Sequence, residues 1–416
     1  MLSVISRRSF CRFFGLILIL LFPSLANAQL KTGLDVLIDN RLNEFKGKRL
    51  GLITNKTGLD RFAAVNYQLF LEKKLNLKVI LAPEHGFLID AEAGRTIENA
   101  NLPEGVRVFS LYGKEKKPTK EMLDQVDALV FDVQDVGVRC YTYVSTMKLA
   151  MEACAEQKKA FIVLDRPNPI SPIAPDGWML DSAFTSFVGM IPVPLIHGMT
   201  VGELATMIKA EAYPQLKLTV VRMDGYERGK FDAEQFRWVK NFVPPSPNIP
   251  DYETEIVYPA TVFLEATNVS EGRGTLFPFL QIGAPFILAD DFAFQLRILH
   301  LEGVRFDPVT FTPRSIPGRA EKPKYQDQIC YGVRITVIEP YKIKPFEVAV
   351  GLLTVLQKLY PKEFNMKEYG DFLDKLAGTD KMRKRIFDKA SLERILEESR
   401  KELPAFLERR QKYLLY

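Results

Sequence analysis

Short apolar runs recur along the first half of the chain, each stopped by a polar residue and followed by a longer stretch of mixed character. Residues 49–53, 78–82, 106–110, 128–131 and 160–164 are such runs. They are apolar nearly throughout rather than alternating, which is the signature of strands buried on both faces. Between them, residues 63–75, 119–125 and 141–157 carry the helical repeat of apolar positions. Thr200-Val201-Gly202-Glu203 has the Thr-x-x-Glu spacing of a capping box and opens a helix to Glu211. Residues 216–222 form a further strand. Strand and helix in alternation predict an α/β fold with a Rossmann-like parallel sheet. The first strand runs into Thr54-Asn55-Lys56-Thr57-Gly58 rather than Gly-x-Gly-x-x-Gly, so no dinucleotide cofactor is expected.

The pattern changes after residue 225. Residues 243–285 are rich in Pro, Gly, Asn and Thr, and read as functional loops or a domain junction. Beyond 286 come a helix, a strand at 333–338 and further helices, a smaller mixed α+β unit. The charge-dense stretch 380–410 reads as a solvated helical surface. A chain of this length exceeds the usual single domain, so two are expected: a Rossmann-like catalytic domain at 29–225 and a C-terminal domain at 226–416 that completes the active-site cleft.

Residues 1–28 stand outside this pattern. Arg7, Arg8 and Arg12 precede the apolar run 15–22, and Ala26-Asn27-Ala28 offers a small-residue cleavage site, the three parts of a signal peptide. Ser6-Arg7-Arg8-Ser9-Phe10 also resembles a twin-arginine signal, which leaves both export routes open. A periplasmic or secreted location is expected, with no membrane insertion after cleavage. Removing the three leader arginines lowers the net charge from +5 to +2, too little for a nucleic-acid footprint. Three cysteines then remain. Cys140 and Cys154 fall at the two ends of one predicted helix, about 20 Å apart and beyond disulfide reach. With Cys330 they read as buried free thiols, and no Cys/His cluster has metal-ligand spacing.

Chemistry gathers at the strand ends. In a parallel sheet the carboxyl ends of the strands emerge on one edge, where ligands bind. Asn55 follows the first strand, Glu84 and His85 the second, Asp132 and Gln134 the fourth, and Asp165, Arg166 and Asn168 the fifth. Pro83-Glu84-His85-Gly86 is the sharpest of these sites. Pro83 ends the ladder, Gly86 permits a tight departure, and a carboxylic acid is left on a rigid support. Arg139 offers a planar fork for a carboxylate, while Tyr141 and Tyr143 offer faces and hydroxyls for a sugar ring. His197 precedes the capped helix. No Gly-x-Ser-x-Gly elbow supports a serine nucleophile.

These motifs resemble one family over nearly the whole chain after the leader. Gly51-Leu52-Ile53-Thr54-Asn55, Pro83-Glu84-His85-Gly86, Ser110-Leu111-Tyr112-Gly113 and Phe131-Asp132-Val133-Gln134-Asp135-Val136-Gly137 carry the likeness. Leu164-Asp165-Arg166-Pro167-Asn168-Pro169 and His197-Gly198-Met199-Thr200-Val201-Gly202-Glu203-Leu204 continue it. Pro245-Ser246-Pro247-Asn248, Thr267-Asn268 and Ser270-Glu271-Gly272-Arg273-Gly274-Thr275 complete it. The chain resembles the NamZ/YbbC-type exo-β-N-acetylmuramidases, a glycoside hydrolase family. The resemblance implies a cofactor-free enzyme that releases N-acetylmuramic acid from the non-reducing ends of peptidoglycan fragments, with Glu84 as the catalytic residue. Phe87-Leu88-Ile89-Asp90 and Ser171-Pro172 depart from the family pattern.

On this reading Glu84 is the general acid, and Asp132 or Glu271 is a second carboxylate unless the substrate's acetamido group assists. Arg139, Arg166 and Arg273 are the candidate cations for the muramic lactyl carboxylate. Asn55, His85, Gln134, Tyr141, Tyr143, Asp165, Asn168, His197 and Asn268 are the remaining substrate-binding candidates. Two alternatives belong to other classes: an exported sugar-binding protein without chemistry, and a metal-dependent hydrolase built on Asp132, Asp165, Glu84 and His85.

Overall fold

The computed structural model describes residues 30–89, 100–102, 105–231, 242–366 and 368–416. The leader at 1–28 and Asp90 lie outside the described residues. The first half builds a seven-stranded sheet from β1 (Arg49–Thr54), β2 (Asn76–Ala82), β3 (Ala100–Asn101), β4 (Arg107–Ser110), β5 (Ala128–Asp132), β6 (Ala160–Leu164) and a last strand at Leu218–Val221. A separate antiparallel pair, β7 (Asp176–Met179) and β8 (Pro194–Ile196), lies between β6 and that last strand, which is β9. The sheet order is β3-β4-β2-β1-β5-β6-β9, and every pair except β3–β4 is parallel. Taking the six parallel strands in chain order, their spatial order is 3-2-1-4-5-6, that of Rossmann folds. The α/β expectation therefore holds, with β3 as an antiparallel edge and the β7–β8 pair as additions.

Side chains alternate between two cores. Ile53, Val79, Leu81, Leu129 and Phe131 point to one, and Leu50, Leu52, Ile80, Ala82 and Val130 to the other. Helices α1 (Gly33–Val36) and α2 (Asn66–Glu72) belong to the second face. Helix α3 (Lys120–Asp124), capped by Thr119, and the long α4 (Thr142–Glu156) belong to the first, with α5 (Val201–Glu211). The capping box at Thr200 and Glu203 is present. Helix α2 is shorter than its periodicity predicts. Asp60 Oδ1 accepts from the backbone N–H of Phe62 and of Ala64, and Ala63 takes a left-handed φ of 64°, so a local turn displaces the first helical residues.

In the second half, helix α6 (Tyr252–Thr261) and a 3₁₀ turn (Val262–Ala266) occupy part of the stretch that reads as loop. Pro259 inside that helix is what hides it. Strands β10 (Gln281–Ala284), β11 (Val304–Phe311) and β12 (Cys330–Val337) pair antiparallel in the order β10-β12-β11. Helix α7 (Ala289–Ile298) packs on this sheet and α8 (Pro345–Leu359) packs against α6 and α7, and together they contribute Phe292, Leu296, Phe346 and Leu353 to the core. Four helices finish the chain: α9 (Gly370–Ala377), α10 (Lys381–Phe387), α11 (Leu392–Ser399) and α12 (Leu403–Gln411). The 380–410 segment is not only a solvated surface. Met382, Ile386, Ile395, Leu396 and Phe406 are buried, and Arg409 binds Glu211 of α5 through two nitrogens.

Candidate active site

β2 delivers Ala82 into a tight turn in which the Gly86 N–H donates to the Pro83 carbonyl at 3.0 Å. His85 occupies the third position of that turn at φ 68°, a left-handed conformation usually left to Gly or Asn, and Gly86 follows at φ 79°. Holding histidine there costs of order 1–3 kcal/mol, and such strain collects at functional sites. Glu84 and His85 are both largely buried. The Thr142 hydroxyl, at the start of α4, donates to Glu84 Oε2 at 2.5 Å.

Glu84 and His85 open on a cavity of about 470 Å³. The N-terminal half contributes these two residues, Tyr112, Lys116, and Tyr141 with Thr142. The C-terminal half contributes Tyr258, Glu265, Glu271, Arg273 and Phe279, with Phe372 and Leu376 from α9. Tyr141 and Tyr143 both donate to the Pro245 carbonyl, at 2.8 and 2.6 Å, which draws the Pro245-Ser246-Pro247-Asn248 loop to the cavity. Asn248 Nδ2 donates to the Arg319 carbonyl and Arg319 Nε to that of Pro247, locking the loop in place.

The C-terminal part of the lining carries a charge network. Arg273 pairs with Glu265 and, at 3.3 Å, with Glu271, and Lys324 Nζ meets Glu271 Oε2 at 3.0 Å. Burial pushes the Glu271 carboxyl up, but Lys324 and Arg273 outweigh it and hold the group below its ordinary value. Glu265 moves the other way: burial raises it, Arg273 opposes this, and the charge of Glu271 adds to the rise. The two carboxyls thus share one guanidinium and are driven apart.

Two family models cover this chain almost end to end. The N-terminal model of the exo-β-N-acetylmuramidase NamZ matches residues 50–253 and the C-terminal model matches 256–416. The chain belongs to the NamZ family. It is 42% identical over 390 residues to the peptidoglycan β-N-acetylmuramidase NamZ of Bacillus subtilis strain 168, covering 93% of this chain and 92% of that protein. Two crystal structures of DUF1343 family proteins from Bacteroides fragilis share the fold. One has a TM-score of 0.84 at 34% identity, over 93% of this chain and 99% of that one; the other has 0.75 at 30%, over 94% and 99%.

Of the site residues that the sequence singles out in this NamZ-family chain, Glu84, His85, Tyr141, Glu271 and Arg273 line the cavity. The others lie outside its lining. Asn55 donates to the Tyr143 hydroxyl at 2.9 Å and so stands behind that ring. Asp132 is fully buried between Arg166 Nε at 2.6 Å and Asn66 Nδ2 at 2.7 Å, and Arg166 also donates to the Leu59 carbonyl. Gln134 donates to the carbonyls of Asp135 and Pro167. Asp165 accepts from the Thr200 hydroxyl, the Gly202 N–H and the Tyr416 hydroxyl, an anchor for α5 and the chain end. Asn168 donates to the Met199 carbonyl, His197 Nδ1 accepts from the Met199 N–H, and Asn268 bridges to Glu363 and Asn365.

Arg139 is fully buried. Its two terminal nitrogens donate to the carbonyls of Trp178, Val193, Leu376 and Ala377. It straps the β7–β8 region to the end of α9 and is not presented to the cavity. The set Asp132, Asp165, Glu84 and His85 is likewise not gathered at one point, because the two aspartates are held in buried polar networks away from the cavity lining. Among the described residues no group of three or more His, Cys, Asp or Glu is arranged to hold a metal. The three cysteines among the described residues are free and buried, and burial pushes the thiols of Cys140 and Cys154 up to about 12.

Sequence reasoning missed Glu265, Lys116 and Tyr258. Glu265 had a signal: it is a lone acid in the otherwise apolar run 262–266. Lys116 sits in Lys114-Glu115-Lys116-Lys117, which looks like any charged surface loop, and nothing in the sequence sets it apart. Of the departures from the family pattern, Phe87 stacks edge-on against Tyr67, while Leu88 is exposed and Ile89 is buried at φ 53°. Ser171 donates to the Lys230 carbonyl.

Proposed function

We propose that the cavity above β2 is where this chain hydrolyses its substrate, with Glu84 as the proton donor. The protein is an exo-acting glycoside hydrolase that releases N-acetylmuramic acid from the non-reducing ends of peptidoglycan fragments. The observation that carries the siting is the placement of Glu84: a buried carboxyl on a strained turn, fixed by Thr142, facing a cavity of sugar size. In this reaction the glycosidic C1–O bond breaks as the acid protonates the departing oxygen, and water supplies the new hydroxyl. Glu271 is the second carboxylate on this reading, because its two cations favour the ionised form that a base or stabilising partner needs. Asp132 is set aside for that role, being consumed by Arg166 and Asn66 away from the cavity lining. The rings of Tyr141, Tyr258 and Phe279 offer stacking faces for the sugar.

The two-domain reading supports this arrangement. Residues 29–225 carry the acid, and 226–416 bring the charged part of the lining. Peptidoglycan lies outside the cytoplasmic membrane, and the leader-like N-terminus is proposed to deliver the chain to the periplasm or beyond. The test is to incubate the purified protein with short saccharides that carry muramic acid at the non-reducing end and to identify the product. Free N-acetylmuramic acid, released one unit at a time, is expected. Release of larger internal fragments, or of N-acetylglucosamine first, would contradict exo-muramidase action.

A further inference from the structure

The substrate on the proposed reading carries a lactyl carboxylate, and a site that selects it needs a cation not already neutralised. The three arginines nominated by the sequence are engaged elsewhere. Arg139 is spent on four carbonyls, Arg166 on Asp132 and the Leu59 carbonyl, and Arg273 on Glu265 and Glu271. Lys324 is paired with Glu271. Arg273, in the cavity lining, is shared between Glu265 and Glu271, so an anionic ligand entering the cavity needs a further positive charge to meet it.

Among the described residues that line the cavity, Lys116 meets that need. It lines the same cavity as Glu265, Arg273 and Glu271, and its Nζ has no carboxylate partner among the described residues. Two rings fix its position. The Nζ lies 4.5 Å from the centroid of Phe187 and 5.9 Å from that of Tyr112, and the two rings are 5.9 Å apart. Cation–π contact of this kind orients an ammonium group without neutralising it. All three residues are only half-buried, so the ammonium is held by the protein yet remains accessible from the cavity. We infer that Lys116, steered by Tyr112 and Phe187, is the specificity-determining contact for the lactyl carboxylate of N-acetylmuramic acid. This rests on the exo-muramidase reading above.

The test compares an aryl β-N-acetylmuramide with its lactyl methyl ester, which has the same sugar and leaving group but no negative charge. It is run on the wild type, Lys116→Met and Lys116→Arg. A charge-assisted hydrogen bond lost from the site is expected to lower kcat/KM of Lys116→Met on the acid about ten- to hundredfold. Its preference for acid over ester should shrink by the same factor, while Lys116→Arg keeps most of that preference. Lys116 is half-buried in a loop, and an unchanged thermal melting curve will show that the variants fold. If Lys116→Met discriminates acid from ester as well as the wild type, or loses activity on both equally, the inference is overturned while exo-muramidase action stands. If the wild type hydrolyses neither compound, the functional reading itself fails, and the inference with it.

Discussion

His197 shows how a residue that looks catalytic can serve the fold. It is fully enclosed, its Nδ1 accepts from the Met199 N–H at 3.1 Å, and its Nε2 has no hydrogen-bond partner among the described residues. Burial, with Arg410, Arg139 and Arg228 nearby, drives it from 6.5 to about 3. The native state therefore holds the ring neutral. A depressed folded value contributes stability that is present above the unfolded value near 6.5 and lost as pH falls through 3. Thermal melting across that window should fall more steeply in the wild type than in His197→Asn, which keeps an acceptor near Nδ1 but cannot charge. Parallel pH profiles for the two proteins would show that His197 is not an acid-sensitive point. At this scale the sequence identified the polar residues at the strand ends but not their directions. Glu84 and His85 turn outward into the cavity, while Asn55, Asp132 and Asp165 turn into buried networks. Strand-end position is common to all of them, and the difference is set by partners distant in sequence, such as Tyr143, Arg166 and Tyr416.

At the scale of elements, the junction between Arg139 and the end of α9 is the most constrained. Gly378 adopts φ 75°, and a Cβ there would lie 2.6 Å from Arg139 Nη2. The guanidinium cannot easily give way, because it holds carbonyls on two separate parts of the chain. Gly378→Ala should lower unfolding free energy by about 1–3 kcal/mol, the cost of a strained left-handed residue, and equilibrium denaturation will measure it. Activity should fall too, because Phe372 and Leu376 of α9 line the cavity. An unaltered denaturation midpoint would show that the strap is slack. The buried parallel strands were legible because their apolar runs have no other reading. β11 was not: Pro308 interrupts it, and the structure accommodates this only because β11 is an edge strand. Helix α6 was hidden in the same way by Pro259.

At the scale of the molecule, the cavity takes its acid from the turn after β2 and its charged wall from a segment nearly two hundred residues later. The Rossmann-like order was implicit in the alternation of elements, and the family resemblance pointed to the activity. Glu271 was one of the two second carboxylates that the sequence offered for Glu84, but the arrival of Glu265 and Lys116 in the same cavity was not legible, since only the tertiary fold brings these loops together. The central claim is that Glu84 donates a proton to the departing sugar oxygen. A general acid matters most when the leaving group is a poor one, so Glu84→Gln should be assayed on two substrates: a natural disaccharide with N-acetylmuramic acid at its non-reducing end, and a nitrophenyl N-acetylmuramide whose leaving group needs little protonation. The account predicts a loss of about 10²–10⁴ in kcat on the disaccharide and a distinctly smaller loss on the aryl glycoside. Near-wild-type turnover of the disaccharide by the folded variant, or an equal loss on both substrates, would contradict it.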